Sequence, residues 1–113
     1  KIESLVPKSL QRVKAPEDFL KNLPKYDKYF ENLLKKAYSQ NKVLRYVAKI
    51  YKGRASAKLE MVSKDNPLAH TRGADNIFAF YTRRYNKRPL VVQGPGAGRE
   101  VTAGGVLADI LKI

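Results

Sequence analysis

The spacing of the apolar residues changes once along this chain, and that change restricts the fold more than any other feature. Tyr26, Tyr29, Phe30, Leu33, Leu34 and Ala37 recur every three or four residues, which lines them along one face of a helix of about four turns. Lys28, Glu31, Asn32, Lys35 and Lys36 take the opposite face. An aromatic stripe at this spacing belongs to a core rather than to a cofactor box. From Lys42 the helical period stops. The run Lys42–Tyr51 is β-branched and aromatic, Tyr51-Lys52-Gly53-Arg54 offers a turn, and residues 55–62 alternate, so the two runs form an antiparallel hairpin.

Prolines and glycines punctuate the remainder. Residues 2–7 read as a short extended segment closed by Pro7. Pro16 with Glu17 and Asp18 starts a short helix that Pro24 breaks. Asp65-Asn66-Pro67-Leu68 and Gly73-Ala74-Asp75-Asn76 are turn signals, with His70 in the loop between them. Residues 77–85 read as a strand, Asn86-Lys87 as a tight turn and residues 89–93 as the strand closing a meander. The expected fold is α+β: a mainly antiparallel sheet of about four strands, a long amphipathic helix before it and a C-terminal helix after it, in one domain spanning residues 1–113.

The candidate ligand-facing segment is Gly94-Pro95-Gly96-Ala97-Gly98, which follows Leu90-Val91-Val92 and precedes that last helix. Glycines on alternate residues let the backbone turn sharply and approach another molecule with no Cβ in between, and a following helix aims free N–H groups at the turn. The segment fails the dinucleotide pattern G-x-G-x-x-G, since Arg99 stands where its third glycine belongs, and no Gly-Lys-Ser/Thr follows for a P-loop. Val101, Val106, Leu107, Ile110 and Leu111 give the helix an apolar face. Gly104 and Gly105, poor helix formers, suit a position where another backbone packs closely. Thr102 is the expected cap, with Glu100 just outside the first turn and Arg99 facing solvent.

Composition removes several function classes. There is no cysteine, which excludes a disulfide framework and a thiolate metal site, and His70 is the single imidazole, too few for a histidine-based zinc site or a dependable catalytic triad. No metal site and no catalytic residue are assigned. No apolar run approaches the ~20 residues needed to span a bilayer, so a soluble, cytoplasmic protein without a membrane partner is expected. The formal charge is +13, which favours polyanions. The cations are nonetheless dispersed from Lys1 to Lys112 among acids, with local clusters at Lys35-Lys36 and at Arg83-Arg84 with Lys87-Arg88. A basic nucleic-acid-binding module is therefore the alternative rather than the first choice.

Residues 89–98, then Val101-Thr102-Ala103-Gly104-Gly105-Val106-Leu107-Ala108-Asp109, resemble the C-terminal signature of homoserine dehydrogenase. The resemblance extends upstream, in order, through Gly73-Ala74-Asp75-Asn76-Ile77-Phe78-Ala79-Phe80, Asp65-Asn66-Pro67-Leu68 and Val43-Leu44-Arg45-Tyr46-Val47 to Leu5-Val6-Pro7. In character it is most like the dehydrogenase part of bifunctional aspartokinase/homoserine dehydrogenases. It implies an NAD(P)-dependent oxidoreductase that interconverts aspartate semialdehyde and homoserine in threonine and methionine biosynthesis. The family's Rossmann segment, catalytic lysine and substrate-binding acids have no counterpart here, so the chain is expected to be a piece of a larger enzyme, inactive alone. The resemblance assigns Gly98, and secondarily Gly96, to coenzyme contact. It also implies that the region 43–92 helps pair two subunits in a homodimer, while the final helix returns toward the coenzyme domain.

Overall fold

A computed structural model describes all of residues 1–113. The chain divides into two compact units, Lys1–Lys64 and Asp65–Ile113.

The first unit begins with an extended segment and a helix α1, Pro16–Asn22, with Pro16 in its first turn, where a missing N–H is harmless. A 3₁₀ turn, Leu23–Tyr26, carries Pro24 and separates α1 from α2, Asp27–Ser39. The inward stripe of α2 is narrower than its apolar spacing suggests. Ala37 is buried at 1% exposure, Phe30 and Leu33 are half-buried, and Tyr29, Leu34 and Tyr38 face outward. Glu31 makes ion pairs with Lys28 and Lys35 on the polar side, where such pairs contribute little.

Strands β1, Lys42–Tyr51, and β2, Arg54–Ser63, pair antiparallel from Lys42 opposite Ser63 to Tyr51 opposite Arg54. The two-residue turn between them has Lys52 at φ 49 and Gly53 at φ 72, the type I′ geometry whose twist matches a hairpin. α2 packs on β1, and the core of this unit is Leu10, Ala37, Val47 and Val62. The expected extended N-terminal segment runs beside β2: Ile2 forms a parallel bridge with Ala57, and Glu3 N–H donates to the Ala57 carbonyl at 2.7 Å. Across the hairpin Glu60, with a side chain only 19% exposed, accepts Lys49 Nζ at 2.6 Å and faces Lys58 Nζ at 3.9 Å.

The second unit starts with a 3₁₀ turn, Pro67–His70, in which Asn66 Oδ1 accepts from Leu68 N–H at 2.9 Å. Strands β3, Asp75–Phe80, and β4, Leu90–Pro95, pair antiparallel, and helix α3 covers Arg99–Ile110. Two expectations are corrected here. The four strands form two separate two-stranded sheets, β1 with β2 and β3 with β4, instead of one four-stranded sheet, because the segment between β2 and β3 is taken by turns and the 3₁₀ element rather than by a short reversal. β3 also ends at Phe80, not at residue 85. Tyr85 N–H donates to Thr82 Oγ1 at 3.1 Å, a side-chain bond that closes a local turn in place of a ladder, and Pro89 has no N–H to give, so pairing resumes at Leu90.

Candidate functional site

The glycine segment sits at one end of the β3/β4 pair. Asp75 is opposite Pro95 and Asn76 opposite Gly94, so the chain leaves the sheet just where the glycines begin. Gly96 N–H donates to the Ala74 carbonyl at 3.2 Å, and Gln93 Nε2 donates to Asp75 Oδ2 at 3.1 Å, tying the rising limb to its neighbour strand. Pro95 fixes its own φ between two permissive residues.

The two site glycines differ in what makes them glycine. Gly98 has φ 131 and ψ 151, a region closed to L side chains, yet a Cβ built there would meet nothing within 4 Å. Its constraint is the backbone, and the space in front of it is open. Gly96 has no such φ, but a Cβ there would overlap Asn76 Nδ2 outright and lie 2.7 Å from its Cγ. Its constraint is a neighbouring side chain. Gly94 has neither restriction.

Gly98 is also the N-cap of α3, which corrects the expectation that Thr102 caps the helix. Thr102 instead lies inside the first turn and its N–H donates to the Gly98 carbonyl at 3.0 Å. Here the switch into the helix passes through a backbone conformation that only glycine reaches easily, and the helix starts at Arg99, four residues earlier than a cap at Thr102 would place it. Glu100 then falls in the first turn, where the dipole favours an acid. A shallow concavity of about 580 Å³ beside the start of the helix is lined by Gly98, Arg99, Thr102 and Ala103. Arg99 is exposed there, as expected.

α3 buries none of its residues in this chain: Val101, Val106, Leu107 and Ile110 are all exposed, and a Cβ at Gly104 or Gly105 would meet nothing within 4 Å. The close backbone contact that those glycines suit is not made within these residues. On the β3/β4 pair, Phe78 and Phe80 stack with ring centroids 6.3 Å apart on the face shared with Leu90 and Val92, and all four are exposed. No three His, Cys, Asp or Glu side chains converge as a metal site, His70 is exposed, and no helix is long and apolar enough to cross a membrane.

The family resemblance named Gly98 and Gly96; the structure adds Asn76 as the side chain lying against Gly96. Its signal was available in the strand register, since a polar residue opposite Gly94 has an empty slot to fill.

Comparison with known proteins agrees with the resemblance. The family model described as homoserine dehydrogenase matches residues 2–111. The chain is 42% identical to the chloroplastic bifunctional aspartokinase/homoserine dehydrogenase 1 of Arabidopsis thaliana, over 99% of this chain and 12% of that protein. It is also 42% identical to the homoserine dehydrogenase of Saccharomyces cerevisiae, over 99% of this chain and 32% of that protein. A crystal structure of a Candida auris protein of unknown function superposes with a TM-score of 0.85 at 42% identity, over 98% of this chain and 31% of that one. The chain thus spans about an eighth to a third of the length of these relatives. With a family model matched across nearly every residue and the strands and helices in the expected order, this chain belongs to the homoserine dehydrogenase family.

Proposed function

We propose that this chain is the C-terminal portion of an NAD(P)-dependent homoserine dehydrogenase that interconverts aspartate semialdehyde and homoserine in the cytoplasm, and that it forms one wall of the coenzyme site. The observation that carries this is Gly98: a backbone at φ 131, capping a helix, with open space where a side chain would stand. That combination suits the flat face of a coenzyme ring better than it suits packing, because packing would have filled the space.

The coenzyme, when bound, takes up or gives the hydride. This chain's residues hold and orient it. Gly98 lets the backbone come close, the first-turn N–H groups of α3 offer hydrogen bonds and a positive dipole end, and Gly96 keeps the turn narrow. Catalytic lysine and substrate-binding acids belong to the remainder of the enzyme, together with the Rossmann segment that shares the coenzyme. The apolar face of Phe78, Phe80, Leu90 and Val92 is the surface for pairing with a second copy, and the bare side of α3 is the surface for the coenzyme domain. The charge favours no separate nucleic-acid reading, since the cations are dispersed along the chain among acids rather than gathered in one block.

The test is reconstitution. Joined to the upstream portion of the enzyme, the chain should support NAD(P)-dependent oxidation of homoserine; alone it should give no turnover. Activity of the 113 residues by themselves, or an active enzyme lacking them, would sink the proposal.

A further inference from the structure

Asn76 lies in β3 opposite Gly94, on the same face as Gly96 two residues further along the partner strand. Neither glycine has a side chain, so the Asn76 amide crosses the strand and occupies the place that a Cβ of Gly96 would take: that atom would overlap Nδ2 and sit 2.7 Å from Cγ and 3.3 Å from the Asn76 Cβ. The amide makes no hydrogen bond within the chain, so it is not held there to satisfy a buried group. The amide lies against Gly96 of the glycine turn.

A turn with glycine at positions 94, 96 and 98 has more accessible conformations than any other kind, and a ligand that needs one of them must order the rest. Four restraints act on the rising limb: the Gln93 bond to the Asp75 carboxylate, the ring of Pro95, the Gly96 N–H bond to the Ala74 carbonyl, and the Asn76 side chain laid over Gly96. Only the last is a side chain of the neighbouring strand that bears on Gly96 itself. Beyond Gly96 there are just two residues before the helix begins, so the direction in which the chain leaves Gly96 sets where Gly98 lies.

We propose that Asn76 is a positioning residue of the coenzyme site: by filling the slot over Gly96 it preorganises the turn that presents Gly98. This rests on the coenzyme-facing role of the turn proposed above. Asn76 acts through Gly96 and Gly98, not on the reacting atoms, so it should affect coenzyme binding and leave the chemical step alone.

The experiment uses the complete enzyme, with KM for NAD(P), kcat and melting temperature measured for Asn76→Ala, Asn76→Ser, Gly96→Ala, the Asn76→Ala/Gly96→Ala double variant and Gly98→Val. Asn76→Ala and Asn76→Ser should each raise the coenzyme KM roughly 5- to 30-fold while kcat changes by less than about two-fold. In the double variant the methyl at position 96 enters the space the amide has left, so its KM should be lower than the product of the two single effects predicts. An unchanged coenzyme KM in Asn76→Ala, a fall confined to kcat, additive single effects, or loss of a cooperative melt in both Asn76 variants would each overturn the positioning role. Gly98→Val separates the two levels. If it raises KM and the Asn76 variants do not, only the role of Asn76 fails; if it too leaves KM unchanged, the coenzyme-facing turn itself is wrong.

Discussion

Substituting each glycine of the turn by alanine tests the site more sharply than any single change, because the structure gives the three positions different reasons for being glycine. At Gly98 the added methyl meets no atom within 4 Å, so the whole penalty is backbone strain at φ 131 and ψ 151. Holding a non-glycine residue in that region costs about 1–3 kcal/mol. If the turn relaxes to escape the strain, the Gly98 carbonyl loses its alignment with the Thr102 N–H and the proposed coenzyme wall moves. Expressed wholly as lost coenzyme affinity, that range is roughly a 5- to 150-fold rise in KM. At Gly96 the methyl displaces the end of the Asn76 side chain, which can swing aside, so the cost is smaller. At Gly94 there is neither an unusual φ nor a neighbour, and the change should stay within about 0.5 kcal/mol. Steady-state coenzyme titrations of the three variants in the complete enzyme should therefore rank Gly98→Ala above Gly96→Ala above Gly94→Ala. Equal effects at Gly94 and Gly98, or a Gly98→Ala enzyme with unaltered KM and melting temperature, would refute the strain argument.

Ala37→Leu adds three carbons to a position 1% exposed between α2 and β1, and should lower the unfolding free energy by about 1–3 kcal/mol in a urea titration. Lys52→Asn places the preferred Asn-Gly pair in a type I′ turn where lysine now sits at φ 49. It should raise the urea midpoint by a gain of about 0.5 kcal/mol, after subtracting the lost stacking of Lys52 Nζ over the Tyr51 ring at 5.4 Å. Glu60→Ala removes the acceptor shared by Lys49 and Lys58 and should cost about 1 kcal/mol at low salt. That difference should shrink in ~1 M salt, where these half-exposed lysines are screened; a salt-independent loss would point to packing instead.

Local structure was legible in the sequence wherever one physical signal acted alone. The change of apolar spacing located α2 and the first hairpin, and Lys52-Gly53 located its turn, because helix period, strand alternation and turn chemistry are properties of adjacent residues. Which strands share a sheet is a property of edges far apart in sequence, so four strands were readable and their grouping into two pairs was not. The end of β3 was missed for a related reason. Tyr81-Thr82-Arg83-Arg84-Tyr85 has strand-like composition, but a hydroxyl at Thr82 offers Tyr85 N–H a local partner that a composition count does not register. At the site, the family resemblance pointed to Gly98 and Gly96, whereas Asn76 required the register: only pairing brings residue 76 beside residues 94 and 96.

The helix behind the turn ties stability to function. α3 is 12 residues long, near the lower limit for a helix that lacks tertiary support, and Gly104 and Gly105 each make it worse by about 1 kcal/mol relative to alanine. Within this chain it buries no side chain to offset that, while Val101, Leu107 and Ile110 remain exposed. Propensity and packing inside these residues both argue against a persistent helix, so its stabilisation has to come from a surface that covers the apolar side and approaches closely at the two glycines. In the proposed enzyme that surface is the coenzyme domain. Gly98 caps the first turn of α3, so the same docking that stabilises the helix would fix the N–H groups and the open backbone proposed to face the coenzyme. Formation of the helix and completion of the site would then be one event, and two adjacent glycines, costly to an isolated helix, are what permit it.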